Sequence, residues 1–350
     1  MSAPYYADEH VMPLTYGSLF AGYDGLGMGL RSVLGGETSW FAEYDAAPAK
    51  ILAHHHPGVP NLGDVTKVDW TSVPKVDVLD GGSPCQDLSH AGKRAGMKAG
   101  TRSGLWASMC DAIEIIRPGL VVWENVRGAL SAEADSAMEP CPGCVGDPDD
   151  GPVLRALGRV LGDLAELGYD ARWYGLRAAD VGAPHGRFRI FVFAHDAKGN
   201  RRRSPWHQDH QAGPVDAPIG ATHQPATADA KGHEQRESAD ATGWRDGLRV
   251  EPGDGLGVDW AQYAPAIAHW ATVLGRPAPA PTEPGPKGGQ RLSPRFVEWL
   301  MGIPAGHVTD VKISRNDMLK ALGNGVVPQQ AAEATRRFLD DVLDFTGKAS

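Results

Sequence analysis

The sequence has no long apolar run, few cysteines and no excess of positive charge. A membrane-spanning helix needs about 20 apolar residues, and no run of about 18 exists here, so no membrane span is expected. The stretch MSAPYYADEH lacks the basic and apolar blocks of a secretory signal peptide. Four cysteines among 350 residues therefore indicate free thiols in a reducing cytoplasm rather than a disulfide framework.

The charge balance is acidic, with a formal net charge of −9 at pH 7. Because nucleic-acid binding needs cationic surface, this balance alone disfavours nucleic acid as a partner. Net charge is an average, however, and a cleft can be locally basic. Apolar material is ample, since 42% of the residues are hydrophobic, enough for a large core and two domains.

Short apolar runs alternate with helical stretches through the first half of the chain. The predicted strands are LTYGSLFAG, SWFAEYD, KVDVLDGGS, LVVWENV and RIFVFAHD. Helical spacing is present in SGLWASMCDAIEIIRPG and in VLRALGRVLGDLAELGYD. This alternation predicts an α/β fold with a mainly parallel sheet and helices on both faces.

The composition changes after about residue 195, where a Gly-, Pro- and His-rich stretch has no clear hydrophobic periodicity. Such a stretch is typical of disorder or of an irregular, loop-built domain. Helical order returns in WAQYAPAIAHWATVLG and in SPRFVEWLMG, with Ser293 as a candidate N-cap and Pro294 at the first helical position. The glycine turn in GNGVV then precedes a last amphipathic helix.

The Gly-rich turn SLFAGYDGLGMGL follows the first predicted strand and leads into a helix. Gly22, Gly25 and Gly27 let the backbone approach a ligand, and the helix N-terminus favours a carboxylate or phosphate. An acid at the end of the next strand is a usual partner of ribose hydroxyls, which makes Glu43 a candidate, and Asp64 is placed to contact an adenine edge. These features predict a nucleoside-containing cofactor and leave NAD and S-adenosylmethionine both open.

A cysteine lies at a tight turn in GGSPCQDLS, residues 81–89. Gly81 and Gly82 allow the chain to turn sharply as it leaves a strand, and Pro84 fixes its own φ. Cys85 is therefore predicted at the carboxyl edge of the sheet, where open α/β folds bind their ligands. On this stretch alone, a loop cysteine without a function is an equally good interpretation.

Six stretches, in order, resemble the motifs of the cytosine-C5 DNA methyltransferases. They are SLFAG, PCQDLS, ENV, GAPHGRFRIF, RLSPRFVEWLMGIP and GNGVVPQQ. The resemblance covers nearly the whole chain apart from about residues 196–285. It implies a Rossmann-like S-adenosylmethionine-dependent methyltransferase fold with a smaller, irregular target-recognition domain.

The resemblance also implies how the chain is divided. Residues 1–195 plus 318–350 would form the catalytic, cofactor-binding domain. Residues 196–317 would form the target-recognition domain, with its variable part at about 196–285.

The reaction implied by the resemblance transfers a methyl group from S-adenosylmethionine to C5 of a flipped-out cytosine in a specific short duplex DNA sequence. Cys85 matches the nucleophile that forms a covalent adduct at C6, and Glu124 the residue that hydrogen-bonds N3 and the exocyclic amine. Arg187 and Arg189 would hold the base carbonyl and a nearby phosphate, and Arg187 would favour the thiolate. Asn125 would hold the local backbone.

The cofactor implied is S-adenosylmethionine. The residues expected to bind it are Phe20, Gly22, Gly25, Glu43, Asp64, Pro84, Asn324 and Val326. The basic stretch HAGKRAGMKAGTRSGLW is interpreted as a catalytic loop that closes on DNA, and NRRRSPWHQ as part of the recognition domain. The DNA-binding residues expected there are Ser89, Lys93, Arg94, Lys98, Arg102, Arg201, Arg202 and Arg203. For both stretches the alternative is a solvated basic segment.

Two residues depart from the family pattern. Asp24 stands where the family has glycine, and its carboxylate would repel that of the cofactor unless it points to solvent or caps the helix. His185 stands where the family has glutamine. These departures leave open a DNA-binding protein that has lost catalysis. A third alternative, an enzyme acting on a free pyrimidine nucleotide, is disfavoured by the long insert.

No metal site is expected. The CPGC stretch at residues 141–144 has the spacing of half a zinc site, but the sequence has no second cysteine pair. The expected partner is double-stranded DNA, and a cognate restriction endonuclease would act separately. The chain is expected to be a monomer in the cytoplasm of a bacterial or phage-infected cell, without membrane contact.

Overall fold

The computed structural model describes residues 13–83, 104–126, 129, 133–134, 154–196, 258–286 and 288–347. The first half contains β1 (Thr15–Leu19), α1 (Gly25–Leu34), β2 (Glu37–Ala42), α2 (Ala46–His55), β3 (Val78–Gly81), α3 (Leu105–Ile116) and β4 (Leu120–Val126). The second half contains β5 (Glu133–Ala134), β6 (Leu154–Arg155), α4 (Ala156–Glu166), β7 (Tyr169–Arg177), β8 (Phe188–Asp196), α5 (Ala264–Leu274), β9 (Thr282–Pro284), β10 (Gln290–Leu292), α6 (Pro294–Leu300), α7 (Arg315–Asn324) and α8 (Pro328–Gly347).

A six-stranded sheet in the order β2-β1-β3-β4-β8-β7 forms the centre of the molecule. The strands β2, β1, β3 and β4 are mutually parallel, and β8 is antiparallel to both β4 and β7. The predicted Rossmann-like, mainly parallel sheet is therefore confirmed, with one reversed strand. The chain winds outward in opposite directions from β1 and β3, and ligands bind at the carboxyl ends of strands at such a switch point.

Helices cover both faces of the sheet, because apolar side chains alternate along its buried strands. In β4, Val121 and Trp123 face a cluster that includes residues of α3 and α4. Leu120 and Val122 face the other cluster, which includes residues of α1 and α8. The two faces are thus both apolar, as expected for a largely parallel sheet.

The edge strand β7 was not predicted from the sequence. Its sequence, YDARWYGLR, interrupts apolar residues with charged ones and a glycine, so it has neither a continuous apolar run nor a clean alternation. The structure pairs it with β8 along its whole length. Pairing with a strongly apolar neighbour outweighs a weak local preference for strand.

A third apolar cluster connects the two predicted domains. It contains Trp270, Phe296 and Trp299 from the predicted recognition domain, and Tyr23 and Val327 from the predicted catalytic domain. The apolar core is therefore continuous across the expected boundary between residues 317 and 318. The division into domains stays a prediction.

Helix α6 starts at the residue that the sequence predicts. Pro294 is its first residue and Ser293 stands at the N-cap, but the serine side chain makes no capping hydrogen bond. Among the described residues, no helix is long and apolar enough to cross a membrane.

Candidate active site

Glu124 lies near the end of β4 and is only 7% exposed. The guanidinium of Arg189, on the adjacent β8, approaches it, with Nε 2.7 Å from Oε1. Burial raises the pKa of Glu124, because a buried carboxylate loses its hydration, and the charges of Arg189 and Arg187 oppose that rise. Glu124 is therefore a buried acid that holds its proton more strongly than a free glutamate does.

The two oxygens of Glu124 have different surroundings. Oε1 forms a close ion pair with the guanidinium of Arg189. Oε2 lies against Gly82, where an added Cβ atom would be 2.7 Å away. A side chain at position 82 would therefore displace the Glu124 carboxylate from this position. Arg189 thus holds one oxygen of Glu124, and the other lies against the turn that precedes Cys85.

Ser83, two residues before Cys85, is hydrogen-bonded to β4, the strand that carries Glu124. Trp123 Nε1 donates a hydrogen bond to Ser83 Oγ at 3.0 Å, and Asn125 Nδ2 donates one to the Ser83 carbonyl at 3.1 Å. Asn125 thus holds the backbone here, as expected. The bond between Trp123 and Ser83 had no signal in the sequence, because a tryptophan in an apolar strand predicts only core packing. Together the two bonds fix Ser83 beside Glu124.

Several predicted site residues lie outside the described ranges. They are Pro84, Cys85, Ser89, Lys93, Arg94, Lys98, Arg102, Arg201, Arg202 and Arg203, and so are Cys141 and Cys144.

Arg187 contacts a different part of the chain from Arg189. Its Nη2 donates to the Gly325 carbonyl at 2.7 Å, and its buried Nε has no hydrogen-bond partner among the described residues. Burial and repulsion by Arg189 lower the pKa of Arg187 to about 10, so the group stays charged at neutral pH. The two arginines expected to act as a pair therefore have separate protein partners.

Glu43 and Gly22 meet at the carboxyl ends of β2 and β1. Glu43 is buried, and its Oε2 and Oε1 accept hydrogen bonds from the backbone N–H groups of Gly22 at 2.9 Å and Asp45 at 2.7 Å. Burial raises the pKa of Glu43, although these bonds oppose the rise. Gly22 has a φ of 59°, and apart from its two chain neighbours no described residue has an atom within 4 Å of a Cβ built there. The result is an open backbone turn beside a fixed carboxylate.

Asp64 has a local structural role. Its Oδ1 accepts hydrogen bonds from Thr66 N at 3.1 Å and Thr66 Oγ1 at 2.7 Å, and these bonds lower its pKa. Asn61, in the same loop, accepts from Glu43 N at 2.9 Å and donates to Glu43 O at 3.0 Å. The loop that carries Asp64 thus lies beside Glu43. The contact of Asp64 with an adenine edge stays a prediction, and sequence reasoning missed Asn61.

The remaining predicted cofactor residues are near the start of α1 and the end of α7. Phe20 follows β1 with a φ of 52° and packs against the core. A Cβ at Gly25 would lie 2.2 Å from the Val326 carbonyl, so glycine is required for this close approach. Asn324 is exposed at the end of α7. The fold thus brings the N-terminal turn and the GNGVV stretch together.

Sequence comparison agrees with this arrangement. The family described as C-5 cytosine-specific DNA methylase matches residues 14–240. The chain belongs to this family. The match begins just before β1 and includes Glu43, Cys85, Glu124 and both arginines.

The similarity to individual relatives covers part of the chain in some cases and nearly all of it in another. A protein of Escherichia phage P1 named DNA N-6-adenine-methyltransferase is 37% identical over 137 residues, covering 36% of this chain and 18% of that protein. The type II methyltransferase M2.BsuMI of Bacillus subtilis (strain 168) is 28% identical over 344 residues, covering 95% and 77%. The chain spans only 18% to 41% of the length of seven other curated relatives, the phage protein among them.

The fold is also found among solved structures. The Dnmt2 methyltransferase of S. pombe superimposes with a TM-score of 0.54 at 13% identity, over 94% of this chain and 99% of that one. At this identity the likeness supports the fold alone.

Asp24, where the C-5 cytosine methylase pattern has glycine, takes neither orientation expected from the sequence. It is 1% exposed, and its side chain makes no capping bond to α1. Instead the Arg31 guanidinium contacts its Oδ2, and His56 Nε2 lies 3.1 Å from the same atom. Its φ of 72° is one that aspartate adopts more readily than most residues. Because Arg31 compensates the charge, the expected repulsion of a cofactor carboxylate does not follow.

His185, where the family has glutamine, makes a backbone contact. Its Nε2 donates to the Leu300 carbonyl at 3.0 Å, which connects the turn before β8 to α6. Burial lowers the pKa of His185, so the neutral ring is favoured.

Asp80, at the end of β3, is a buried acid that sequence reasoning missed. Its Oδ2 accepts a hydrogen bond from Ser18 Oγ at 2.8 Å. Burial, and secondarily the charge of Asp24, raise the pKa of Asp80 to about 7. The run VLDGG predicted a strand end, and nothing in it indicated that the acid is enclosed.

Replacing Asp80 by asparagine is expected to stabilise the protein, and more at pH 8 than at pH 5. The pKa of Asp80 is 3.8 for the free side chain and about 7 in the fold. The folded state therefore binds this proton more tightly, and the free energy of unfolding falls as pH rises between these values. The stabilisation by Asp80→Asn should grow by on the order of 2 kcal/mol from pH 5 to pH 8. Urea unfolding of both proteins at the two pH values measures this, and an equal difference at both would contradict it.

Proposed function

We propose that this chain is a DNA (cytosine-5-)-methyltransferase. It transfers a methyl group from S-adenosylmethionine to C5 of a flipped-out cytosine in a specific short duplex DNA sequence, through a covalent Cys85 adduct at C6. Family membership supports this function. The single observation that carries it is the buried Glu124–Arg189 pair, in which Glu124 lies against Gly82, three residues before Cys85.

The fold and family imply S-adenosylmethionine as the cofactor, and the turn around Gly22 fits a nucleoside of this kind. Glu43 has lone pairs left to accept ribose hydroxyls, and the open backbone at Gly22 leaves space in front of it. Tyr44, the next residue, is 74% exposed and offers an aromatic face to an adenine. The residues proposed to bind the cofactor are Phe20, Gly22, Gly25, Glu43, Asp64, Pro84, Asn324 and Val326.

Cys85 is proposed to start the reaction. C5 of cytosine is a weak nucleophile, and addition of the Cys85 thiolate to C6 makes C5 electron-rich. When bound, S-adenosylmethionine supplies the electrophilic methyl group that C5 takes. A base, which we propose is water, then removes the C5 proton. The electrons of that C–H bond re-form the C5–C6 double bond, and the C6–S bond breaks to release the thiolate.

Glu124 is proposed to act at N3 of the base. Electron density moves toward N3 when sulfur adds to C6. Glu124, whose pKa is raised by burial, is proposed to donate a proton to N3 and to take it back when the C6–S bond breaks. Arg189 fixes the carboxyl group by its ion pair. The Nε N–H of Arg187 has no hydrogen-bond partner among the described residues, and it is proposed to bind the base carbonyl or a phosphate. The charge of Arg187 is proposed to favour the Cys85 thiolate.

DNA is proposed to be held by the basic loop after Cys85 and by the recognition domain at 196–317. The proposed contacts are Ser89, Lys93, Arg94, Lys98, Arg102, Arg201, Arg202 and Arg203. The enzyme is proposed to be a cytoplasmic monomer, with any cognate restriction endonuclease acting separately. The alternative of a DNA-binding protein without catalysis rested on Asp24 and His185, and both have compensating partners inside the fold.

Transfer of a radiolabelled methyl group tests the proposal. The purified chain is incubated with labelled S-adenosylmethionine and either duplex DNA or free dCMP, and the DNA is digested to nucleosides. Label in 5-methyldeoxycytidine from duplex DNA is expected. Label in dCMP alone, or in N6-methyldeoxyadenosine, would reject the proposed substrate or the proposed atom.

Replacing Glu43 by glutamine is expected to weaken S-adenosylmethionine binding by about 10- to 100-fold, because a hydrogen bond to a charged group is worth about 1.5–3 kcal/mol. Calorimetry on the folded variants measures this directly. Glu37→Gln is the matched control, since Glu37 is an exposed carboxylate at the other end of β2. Equal affinities of the two variants would remove Glu43 from the cofactor site.

A further inference from the structure

Tyr23 is a fully buried residue. It connects the N-terminal turn to the 324–327 segment (NGVV), which runs from the last residue of α7 to the residue before α8. Its hydroxyl donates to the Val326 carbonyl at 2.6 Å. Its own carbonyl accepts a hydrogen bond from His307 Nε2 at 2.8 Å. Burial raises the pKa of the Tyr23 phenol, so it remains a donor across the physiological range.

The ring of Tyr23 also shapes the 324–327 segment. A Cβ at Gly325 would lie 1.9 Å from the ring, so only glycine lets the backbone pass over it. Gly25 approaches the same place, because a Cβ there would lie 2.6 Å from the ring and 2.2 Å from the Val326 carbonyl. The segment is therefore packed directly on the turn that carries Gly22 and Gly25.

The carbonyl of Gly325, adjacent to that of Val326, binds a residue that is assigned to the target base. Gly325 O accepts from Arg187 Nη2 at 2.7 Å, while Val326 O accepts from the Tyr23 hydroxyl. Two adjacent carbonyls thus bind Arg187, which is assigned to the target base, and Tyr23, which belongs to the cofactor turn. A shift of the 324–327 segment would therefore disturb the base site and the cofactor site together.

We infer that the Tyr23 hydroxyl is a positioning group that holds the 324–327 segment against the cofactor turn and, through Gly325, keeps Arg187 in place. The inference rests on the proposed function, since it assigns Tyr23 to the cofactor and base sites proposed above. In this inference Tyr23 is a positioning residue and not a catalytic one. It acts on cofactor affinity through Val326 and on the base site through Arg187.

Tyr23→Phe, compared with Tyr16→Phe, tests the inference. Tyr16 is also fully buried, and its hydroxyl donates to the Gly35 carbonyl at 2.9 Å, away from the 324–327 segment. Both variants lose one hydroxyl-to-carbonyl bond and keep the ring, so a purely structural effect should be alike in both. The measurements are S-adenosylmethionine affinity by calorimetry, amide hydrogen exchange of residues 325–327, and KM and kcat for methyl transfer.

Tyr23→Phe is expected to weaken S-adenosylmethionine binding about 3- to 10-fold, the change given by loss of one buried hydrogen bond. Exchange at residues 325–327 should speed up by a similar factor, and kcat should fall. Tyr16→Phe should change none of these while it lowers Tm comparably. Equal affinities and exchange rates in the two variants would overturn the inference. A wild-type chain that binds no S-adenosylmethionine would instead contradict the proposed function, and the exchange rates alone would then decide the role of Tyr23.

Discussion

Replacing Cys85 by alanine is expected to lower the rate of methyl transfer by on the order of 10⁴-fold or more, because loss of a covalent nucleophile removes the whole reaction path. Binding of S-adenosylmethionine and folding should be unchanged, since Cys85 is proposed to act on the base and not on the cofactor. The measurement is transfer of labelled methyl groups to duplex DNA, with cofactor affinity measured in parallel.

Cys110→Ala is the matched control for this prediction. Cys110 is a partly buried thiol in α3, and burial raises its pKa, so it is a poor nucleophile. It should keep full activity. A duplex with 5-fluorocytosine at the target position gives a second readout, because the C5 fluorine cannot leave as a cation and the Cys85 adduct persists. The wild-type chain and Cys110→Ala should be trapped, and trapping of Cys85→Ala would show that another residue is the nucleophile.

Replacing Glu124 by glutamine is expected to lower kcat by about 10² to 10⁴-fold, the range for loss of a general acid. Glutamine keeps the shape of the side chain but cannot deliver a proton to N3. The loss should therefore appear in kcat, while the affinity for S-adenosylmethionine stays within a few-fold. Single-turnover methyl transfer with saturating cofactor measures this step.

Glu298→Gln separates the role of Glu124 from the general effect of altering a buried carboxylate. Glu298 is buried and accepts hydrogen bonds from the backbone N–H groups of Gly306, Val308 and Thr309 at 2.7–3.0 Å. Its replacement should lower Tm and leave kcat of the folded enzyme unchanged. If both variants lose kcat alike, Glu124 has only a structural role.

The fold was largely predictable because its strands are buried on both faces. The run LVVWENV is short, rich in valine and follows a proline and a glycine, which favours a buried strand over a helix. Pro118 and Gly168 mark the ends of the helical stretches before them. The edge strand β7 was not predictable, because its partner β8 rather than its own sequence determines it. Local pattern is informative where burial is complete and weak at the edge of a sheet.

The residues of the proposed site could be named from the sequence, but their partners in the fold could not. Motif matches named Glu124, Arg189 and Glu43, since these are fixed by chemistry at known points of the pattern. The partners of Asp24 come from α1 and from the end of α2, and the partner of the Tyr23 hydroxyl is 303 positions away in the chain. Contacts at such separations depend on how helices pack, which a single sequence does not encode in any local signal.

The most direct test of the central claim is sequencing of plasmid DNA after chemical conversion of unmodified cytosine. The plasmid is taken from a host without cytosine methylation of its own that expresses either this chain or Cys85→Ala. The account predicts 5-methylcytosine in one short duplex context with the wild-type chain and none with the variant. Unmodified cytosine throughout, from a soluble chain that binds S-adenosylmethionine, would contradict it.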